Sequence, residues 1–578
     1  GRGPTLRTRG RRAGASRCAR MKRTRLVDPH EHAGGFAAGG GKQVRLHRDQ
    51  PLLLSSTGSL GAKEAWGPAS QSDLTGRRMV TEASSEQHRR VEFLRQINAL
   101  NDQFGQYVAD SLRGKLDHVL VDAGNDYIQY VEALEERFLR RHGEVFMFGS
   151  GECGQLAHGI DSEDDLNVDR PRIVYSLRDK HIRLLACGGI HTIAVGADGR
   201  VWSWGCNDDG ALGRPSGLVD KERPELGSKG NENMPEIVAG GGLQGEQVVH
   251  VSCGDCQTLV VTVDGNVYGW GCYKDREGKK WFDSSLPPSA SPQEAVKTIK
   301  RQQDVPMKIL ALPETMVADL CCGASFNAAL LKDGRVLTWG LGEVGELGRP
   351  AAAMKPDGAE YDKTGVFRDH VTPGAPVLAS GEALPAMKSV GCGMYHLFVV
   401  SASGSSVYSA GLNVYGQLGL GYVGDGLSNK DKLEAVQSLD GQGVACCTGG
   451  NHHSMALTGD GRVFTWGRAD YGQLGIARAD TAAGGYQASP IEVEFPAGAA
   501  SVTRVSCGNN HNLVLTSKKQ VYSWGFGDSG ALGHASDEDE MCPRMIDFKK
   551  AKLEHIDVLQ LAGGGQHSAL LGSVTTTK

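Results

Sequence analysis

Val201-Trp202-Ser203-Trp204-Gly205-Cys206-Asn207-Asp208-Asp209-Gly210-Ala211-Leu212-Gly213 joins an aromatic, β-rich run ending in glycine to a turn of the form G-x-L-G. The first half recurs seven times, at Val145 to Gly149, Val201 to Gly205, Val267 to Gly271, Val336 to Gly340, Val407 to Gly411, Val463 to Gly467 and Val521 to Gly525. The final glycines stand 56 to 71 residues apart, a long period for a four-stranded propeller blade and one that implies loop insertions. Six copies carry the turn or its remnant, among them Gly345 to Gly348, Gly416 to Gly419, Gly472 to Gly475 and Gly530 to Gly533; the first reads Gly154-Gln155-Leu156-Ala157.

Upstream of every copy but the first lies a second signature, G-x-x-H or a variant, followed by alternating apolar residues and usually an Asp-Gly turn. Ile190-His191-Thr192-Ile193-Ala194-Val195 leads through Asp198-Gly199 into Val201-Trp202, and such a pair of short runs joined by Asp-Gly reads as a β-hairpin. Trp202, Trp204, Trp270, Trp339, Trp466 and Trp524 fall inside the pattern, so six of the eight tryptophans read as core. A light-sensing or cofactor-stacking use is the alternative. The two signatures are out of phase: the array opens on Val145 to Gly149 and ends on Gly564 to Leu571. An open ring would expose strand edges. The pattern therefore predicts an all-β, seven-bladed β-propeller closed by a composite blade that pairs the first strand with the last.

Charge divides the chain. Its formal net charge is −5, yet the first 50 residues carry 13 Lys and Arg against 3 Asp and Glu. The remainder is acidic, with 49 basic against 64 acidic residues. A basic arm suits nucleic acid or an import receptor, and an acidic body suits a basic protein. Met21 and Met79 are candidate starts, which would place some or all of the arm outside the natural protein. Residues 1–84 are rich in Gly, Ser and Arg without sustained periodicity and read as disordered. Residues 85–142 read as helical: Phe93, Ile97, Leu100, Phe104, Val108 and Leu112 repeat at three- and four-residue spacing. The propeller then occupies residues 143–572, with a short tail at 573–578. No apolar run approaches the roughly 20 residues of a membrane span.

Few chemistries fit. Cys187, Cys253, Cys322, Cys392 and Cys507 each precede a glycine at equivalent repeat positions and read as reduced thiols packed in strands, as in a cytosolic or nuclear protein. Cys253 and Cys256 spell CxxC, a redox spacing that the repeat accounts for without redox chemistry. His191, His396, His453, His511 and His567 recur with the repeat, which predicts a structural bond from the ring to a loop carbonyl. No P-loop, serine-nucleophile motif or metal-ligand set stands out, so no covalent active site, cofactor or metal is expected.

The turn Trp204 to Arg214 resembles the second blade of the regulator of chromosome condensation family. Gly467-Arg468-Ala469-Asp470-Tyr471-Gly472-Gln473-Leu474-Gly475 and Gly563 to Ser568 resemble its sixth and seventh blades. The likeness covers residues 145 to 571. Where blade 3 should carry G-x-L-G it reads Tyr273-Lys274-Asp275-Arg276-Glu277-Gly278, which resembles the wedge hairpin of that family. The resemblance implies guanine-nucleotide exchange on the small GTPase Ran, without covalent catalysis, in the nucleus, in support of nucleocytoplasmic transport, mitosis and chromosome condensation. It carries functional roles onto Asp255, His453, Glu152 (an aspartate in the family), Arg349, His191 and His567. At Ser325 the family has an aspartate, and serine cannot make the same ionic contact. The basic arm and a propeller loop would meet chromatin or the nucleosome. Ile97 to Phe104 with Tyr107-Val108, followed by Asp126 to Tyr130, is similar to the N-terminal segment of nuclear-basket nucleoporins, which implies importin-α or nuclear-pore components as further partners. The alternative is a non-catalytic scaffold whose propeller binds chromatin or another protein. The insertions near residues 273 to 316 and 350 to 388 carry no readable role.

Overall fold

The computed structural model describes residues 142–159, 166–216, 231–282, 300–312, 315–350, 370–423, 429–477, 485–551, 553 and 556–574. The basic arm and the helical reading of 85–141 lie outside them, as do residues 575–578.

Six blades are four-stranded antiparallel sheets. In blade 2, Ile182–Cys187 is innermost, followed by His191–Gly196, Val201–Gly205 and the short outer strand Glu236–Ile237. Blades 3, 5, 6 and 7 repeat that order from Val248, Met387, Val444 and Val502. Blade 1 is built from both ends of the array, in the order Asn167–Ile173, Glu144–Ser150, His567–Val574, Ile556–Gly563. Val145 faces Leu571, and Gly149 faces His567. Blade 4 differs: Val317–Cys322, Phe326–Leu331 and Val336–Gly340 form three strands, and a single bridge from Thr338 to Gly374 stands at the outer edge.

The core lies between blades. Each junction holds one apolar cluster drawn from both neighbours, such as Val145 with Trp204 between blades 1 and 2, or Leu259 with Trp339 between blades 3 and 4. This is why the second and third strands of each blade bury both faces and why Trp204, Trp270, Trp466 and Trp524 have no exposed surface. Removing one such aliphatic side chain costs about 2–5 kcal/mol, because rigid sheets on either side cannot close the gap.

The two sequence signatures meet across each junction. The Trp204 ring nitrogen of blade 2 donates to the Gln155 carbonyl of the blade 1 turn at 2.8 Å. Trp270 does the same to Ala211, Trp466 to Gln417 and Trp524 to Gln473. The last glycine of the turn lies under the same ring: a Cβ on Gly213 would stand 2.8 Å from Trp270. The G-x-x-H glycine has a similar steric reason. The His191 ring packs on Gly188, where a Cβ would meet the ring at 2.3 Å.

Register places the functional loops. His191 pairs with Gly205, Gln257 with Gly271, Phe326 with Gly340 and His453 with Gly467. Each G-x-x-H loop therefore lies at the same end of its blade as the G-x-L-G turn, and together they make one face. On that face a ring of backbone bonds joins successive loops: Gly189 N–H to Gly254, Asp255 to Ala324, Ala324 to Met394, Met394 to Gly450, Asn451 to Asn509, Asn509 to Gly564, and Gly565 back to Gly188. The ring surrounds a central channel of about 260 Å³. Among the described residues no helix is long and apolar enough to cross a membrane.

Candidate functional site

Blade 3 leaves its third strand at Gly271 and enters a small hairpin, with Tyr273–Lys274 paired to Lys280–Trp281. The turn is held from within. Asp275 accepts the Lys279 N–H at 2.7 Å through one carboxylate oxygen and the Trp281 ring N–H at 2.9 Å through the other. Gly278 takes φ of 76°, a left-handed value open to glycine. Arg276, Glu277, Gly278 and Lys279 are exposed.

The base of the hairpin is fixed on both sides. On the blade 2 side, the buried Asp209 carboxylate meets Lys274 Nζ at 2.5 Å and Lys280 Nζ at 3.1 Å. Burial opposes the Lys274 charge, but Cys256 and Asp209 outweigh it and hold the ammonium above its ordinary pKa. On the blade 4 side, Ser325 makes two bonds to one residue: its hydroxyl donates to the Lys274 carbonyl and accepts the Lys274 N–H, both at 3.0 Å. Glu343 accepts the Arg276 N–H at 2.9 Å. Below, Tyr273 is buried and stacks on Phe282, ring centroids 5.7 Å apart. Blade 3 has no turn carbonyl to offer the next tryptophan, and Asn327 supplies the acceptor. Oriented to satisfy its neighbours, its amide oxygen takes Trp339 Nε1 at 3.1 Å and the Tyr273 hydroxyl at 3.0 Å. The result is an exposed tip on a stiff mount.

Asp255 is half-buried on the loop beside Ser325, tied to it by the Asp255 N–H to Ala324 carbonyl bond. The structure thus brings Asp255, Ser325 and the hairpin together. Glu152 is exposed on the same face in blade 1. Arg349 turns into its own blade and donates to the Thr372 carbonyl at 2.7 Å, as Arg214 does to Asn231 at 2.9 Å. His191, His453 and His567 are fully buried. Their rings bond the next blade, His191 to Thr258 at 2.9 Å, His453 to Asn512 at 3.0 Å and His567 to Thr192 at 3.0 Å. His396 meets Ser454 and His511 meets Ser568, each at 2.9 Å. The structural role expected of the repeated histidines stands, but the partner is a side chain of the neighbouring blade rather than a loop carbonyl. Burial pushes His191, His453 and His511 down to about 4, and His396 and His567 to about 3. These rings are neutral at neutral pH and present no surface to a partner.

The CxxC sulfurs diverge. Cys253 Sγ faces the Ala186 carbonyl, while Cys256 Sγ lies 3.1 Å from Asp209. The repeated cysteines end the inner strands, packing against the inter-blade apolar clusters on one side and lining the central channel on the other. Among the described residues no cluster of His, Cys, Asp or Glu has the arrangement of a metal site.

A family model described as the RCC1-like domain matches residues 144–570. The chain belongs to that family. Protein pim1 of Schizosaccharomyces pombe is 32% identical over 443 residues, spanning 74% of each chain. The regulator of chromosome condensation of Homo sapiens is 31% identical over 434 residues, 74% of this chain and 90% of that one. The ultraviolet-B receptor UVR8 of Arabidopsis thaliana is 32% identical over 404 residues, 70% of this chain and 77% of that one. Among solved structures, Prp20p of Saccharomyces cerevisiae, described together with its binding to Gsp1p and histones, superposes with a TM-score of 0.63 at 24% identity. That match covers 77% of this chain and 95% of that one. The RCC1-like propeller, with its repeat and ring, is therefore the architecture of this chain.

Sequence reading points to residues 273 to 278, the first strand and turn of this hairpin, but not to its second strand nor to Asp209, Lys280 and Glu343, which fix it. A signal existed for Asp209. The equivalent position before G-x-L-G is Val344, Tyr415, Tyr471 or Ser529 in other blades, so an acid there demands a cation that its own blade does not supply.

Proposed function

We propose that the chain is a guanine-nucleotide exchange factor for a Ran-type small GTPase. The carrying observation is the hairpin from Tyr273 to Trp281: its base is fixed by Asp209 and Ser325, and its tip from Arg276 to Lys279 projects from the loop face. A rigid tip displaces a loop of a partner without yielding itself, so binding energy goes into distorting the nucleotide site. An exchange factor binds the nucleotide-free GTPase more tightly than the loaded one, and linkage makes it weaken nucleotide binding by the same factor. No covalent bond is made. Asp255 of blade 3 and Glu152 of blade 1 offer carboxylates to basic residues of the GTPase on the same face. Ser325 acts through the hairpin, Arg349 through the loop it holds, and His191, His453 and His567 through the loops they fix between blades. The family supports this reading: SRM1 of Saccharomyces cerevisiae, named a guanine nucleotide exchange factor, is 26% identical over 456 residues.

The same reading puts the protein in the nucleus, on chromatin or near pores, with nucleosomes as partners of its basic arm and a propeller loop, and importin-α or nuclear-pore components as partners of residues 85 to 142. A yeast RCC1 (Prp20) has been solved bound to Kap60. The test is release of fluorescently labelled GDP from Ran with catalytic amounts of the full chain. Acceleration is expected, and its loss on replacing Arg276 to Lys279 by Gly-Ser. No acceleration by the intact chain would sink the proposal. The scaffold reading has one observation in its favour, because a relative as similar as UVR8 is named for receiving ultraviolet-B rather than for exchange. Stable capture of Ran without faster GDP release would select it.

A further inference from the structure

The inner strands of neighbouring blades touch by one rule around the channel. At five junctions the last residue of an inner strand rests against the next-to-last residue of the inner strand in the blade before it. Cys253 faces Ala186, Cys322 bonds with Ser252, Cys507 with Thr448, and the Gly563 N–H donates to Ser506. Between blades 4 and 5 the rule brings two thiols together: Cys321 Sγ and Cys392 Sγ are 2.8 Å apart. A disulfide requires about 2.0 Å, so closing the bond needs less than an ångström of movement. Both residues line the channel, where water and molecules of similar size reach them.

The same junction lacks the side-chain clamps found elsewhere. Where other blades place His or Gln, blade 4 has Phe326, and its neighbour across the junction is Leu397 rather than Thr, Ser or Asn. Where blades 2, 3, 6 and 7 send a tryptophan N–H to the preceding turn, blade 5 has Ala410. Blades 4 and 5 keep the backbone bond from Ala324 to Met394. At this junction neither an imidazole clamp nor an indole clamp bridges the blades, the thiol pair takes their place, and blade 4 is the one with three strands.

We propose that Cys321 and Cys392 are a peroxide-responsive site, forming a reversible disulfide that joins blades 4 and 5. The thiolate of one cysteine attacks an oxygen of hydrogen peroxide; an S–O bond forms, the O–O bond breaks and hydroxide leaves. The second sulfur then attacks the sulfenic sulfur, the S–O bond breaks, and the departing oxygen leaves as water. Two thiols and one peroxide give one disulfide and two waters. A small dithiol reverses the reaction. Burial raises both thiols above their ordinary pKa, so the attacking thiolate is a minor species at neutral pH and the reaction is slow. Because both sulfurs lie inside the ring of strands, small oxidants are expected to reach them ahead of glutathione disulfide.

The full chain is treated with hydrogen peroxide, its remaining thiols are alkylated, and unreduced peptides are read by mass spectrometry. The expected product links the Cys321 and Cys392 peptides, vanishes with dithiothreitol and is absent from Cys321→Ser and Cys392→Ser. The linked protein should melt about 2 °C or more above the reduced one. Cys542, which is exposed, reports in the same sample that oxidant was sufficient. Oxidation of Cys542 with Cys321 and Cys392 both still alkylated would overturn the proposal. So would linkage by glutathione disulfide as fast as by peroxide. The wild-type measurement stands even where a serine variant fails to fold.

Discussion

Glu346 holds the place that glutamine holds in three other turns. Gln155, Gln417 and Gln473 each accept a backbone N–H of their own turn, from Cys153, Tyr415 and Tyr471. Glu346 accepts the Val344 N–H in the same way at 2.7 Å. Burial raises its pKa to about 8, so the folded protein holds a neutral acid at neutral pH, while the unfolded chain ionises near 4.5. The folded state binds the extra proton between those values, so stability falls as pH rises from 4.5 to 8, by about 1.4 kcal/mol per unit. Glu346→Gln keeps the bond without the proton. The expected gain in thermal stability is small near pH 5 and grows to pH 8; a gain independent of pH would refute this account. Phe326 and Leu397 pose the opposite question, since there both members of a polar pair have become apolar. Phe326→His alone should cost about 1–3 kcal/mol in denaturant unfolding, because its ring would face Leu397 with no acceptor. Adding Leu397→Ser should recover most of that loss, and a purely additive double variant would show that the pair does not act as a unit. The repeat made both positions visible in sequence as departures. Their partners were not, because each lies in another blade.

The hairpin shows how an element can be legible while its fixings are not. Its place in blade 3 follows from a missing G-x-L-G, and it begins at Tyr273 as the sequence implies, but its second strand, Lys280–Trp281, lies beyond the Gly278 at which the sequence reading stops. Ser325 was read as a lost charge. Its structural work is short-range and needs a group that both donates and accepts, which a carboxylate is not. Ser325→Asp should keep the Lys274 N–H bond but set a negative charge against the Lys274 carbonyl. Ser325→Ala should lose both bonds, at about 1–2 kcal/mol of local stability. Amide hydrogen exchange across residues 275 to 281 should quicken in both variants, with strands of blades 5 to 7 unchanged. GDP release from Ran should fall with it in Ser325→Ala, since a tip on a loose base spends binding energy on its own ordering. Faster exchange of nucleotide by Ser325→Asp than by the wild type would mean that charge, not the brace, limits activity. In sequence Ser325 shows only the missing charge, because the hairpin strand it braces lies 51 residues away.

At the scale of the whole ring, five buried histidines make stability depend on acid. The fold was legible because periodicity reports it directly. The ring of inter-blade bonds was not, because its members are 57 to 375 residues apart in the chain. Each ring nitrogen Nε2 of His191, His396, His453, His511 and His567 bonds across a junction. The Nδ1 atoms of His191, His396, His453 and His567 are buried without a hydrogen-bond partner, so a proton there has nothing to bond. With pKa values near 3 to 4 in the fold and about 6.5 in the unfolded chain, the unfolded state takes up more protons between those limits. The stability these groups contribute is therefore complete above pH 6.5 and is lost as pH falls toward 4. A ring shifted to about 4 has lost about 2 kcal/mol by pH 5. Five together rival the whole stability of an ordinary domain. Circular dichroism should thus show a melting temperature that changes from pH 8 to 7 only by the small rise Glu346 contributes, and that falls steeply below 6.5. Blade 3 supplies the control, since Gln257 fills the histidine seat and bonds the Gly323 carbonyl at 3.1 Å without titrating. His191→Gln should match the wild type near pH 7.5 and unfold at a lower pH. If its acid midpoint stays where the wild type has it, the acid sensitivity lies in the surface carboxylates instead, and the histidines are clamps that happen to titrate elsewhere.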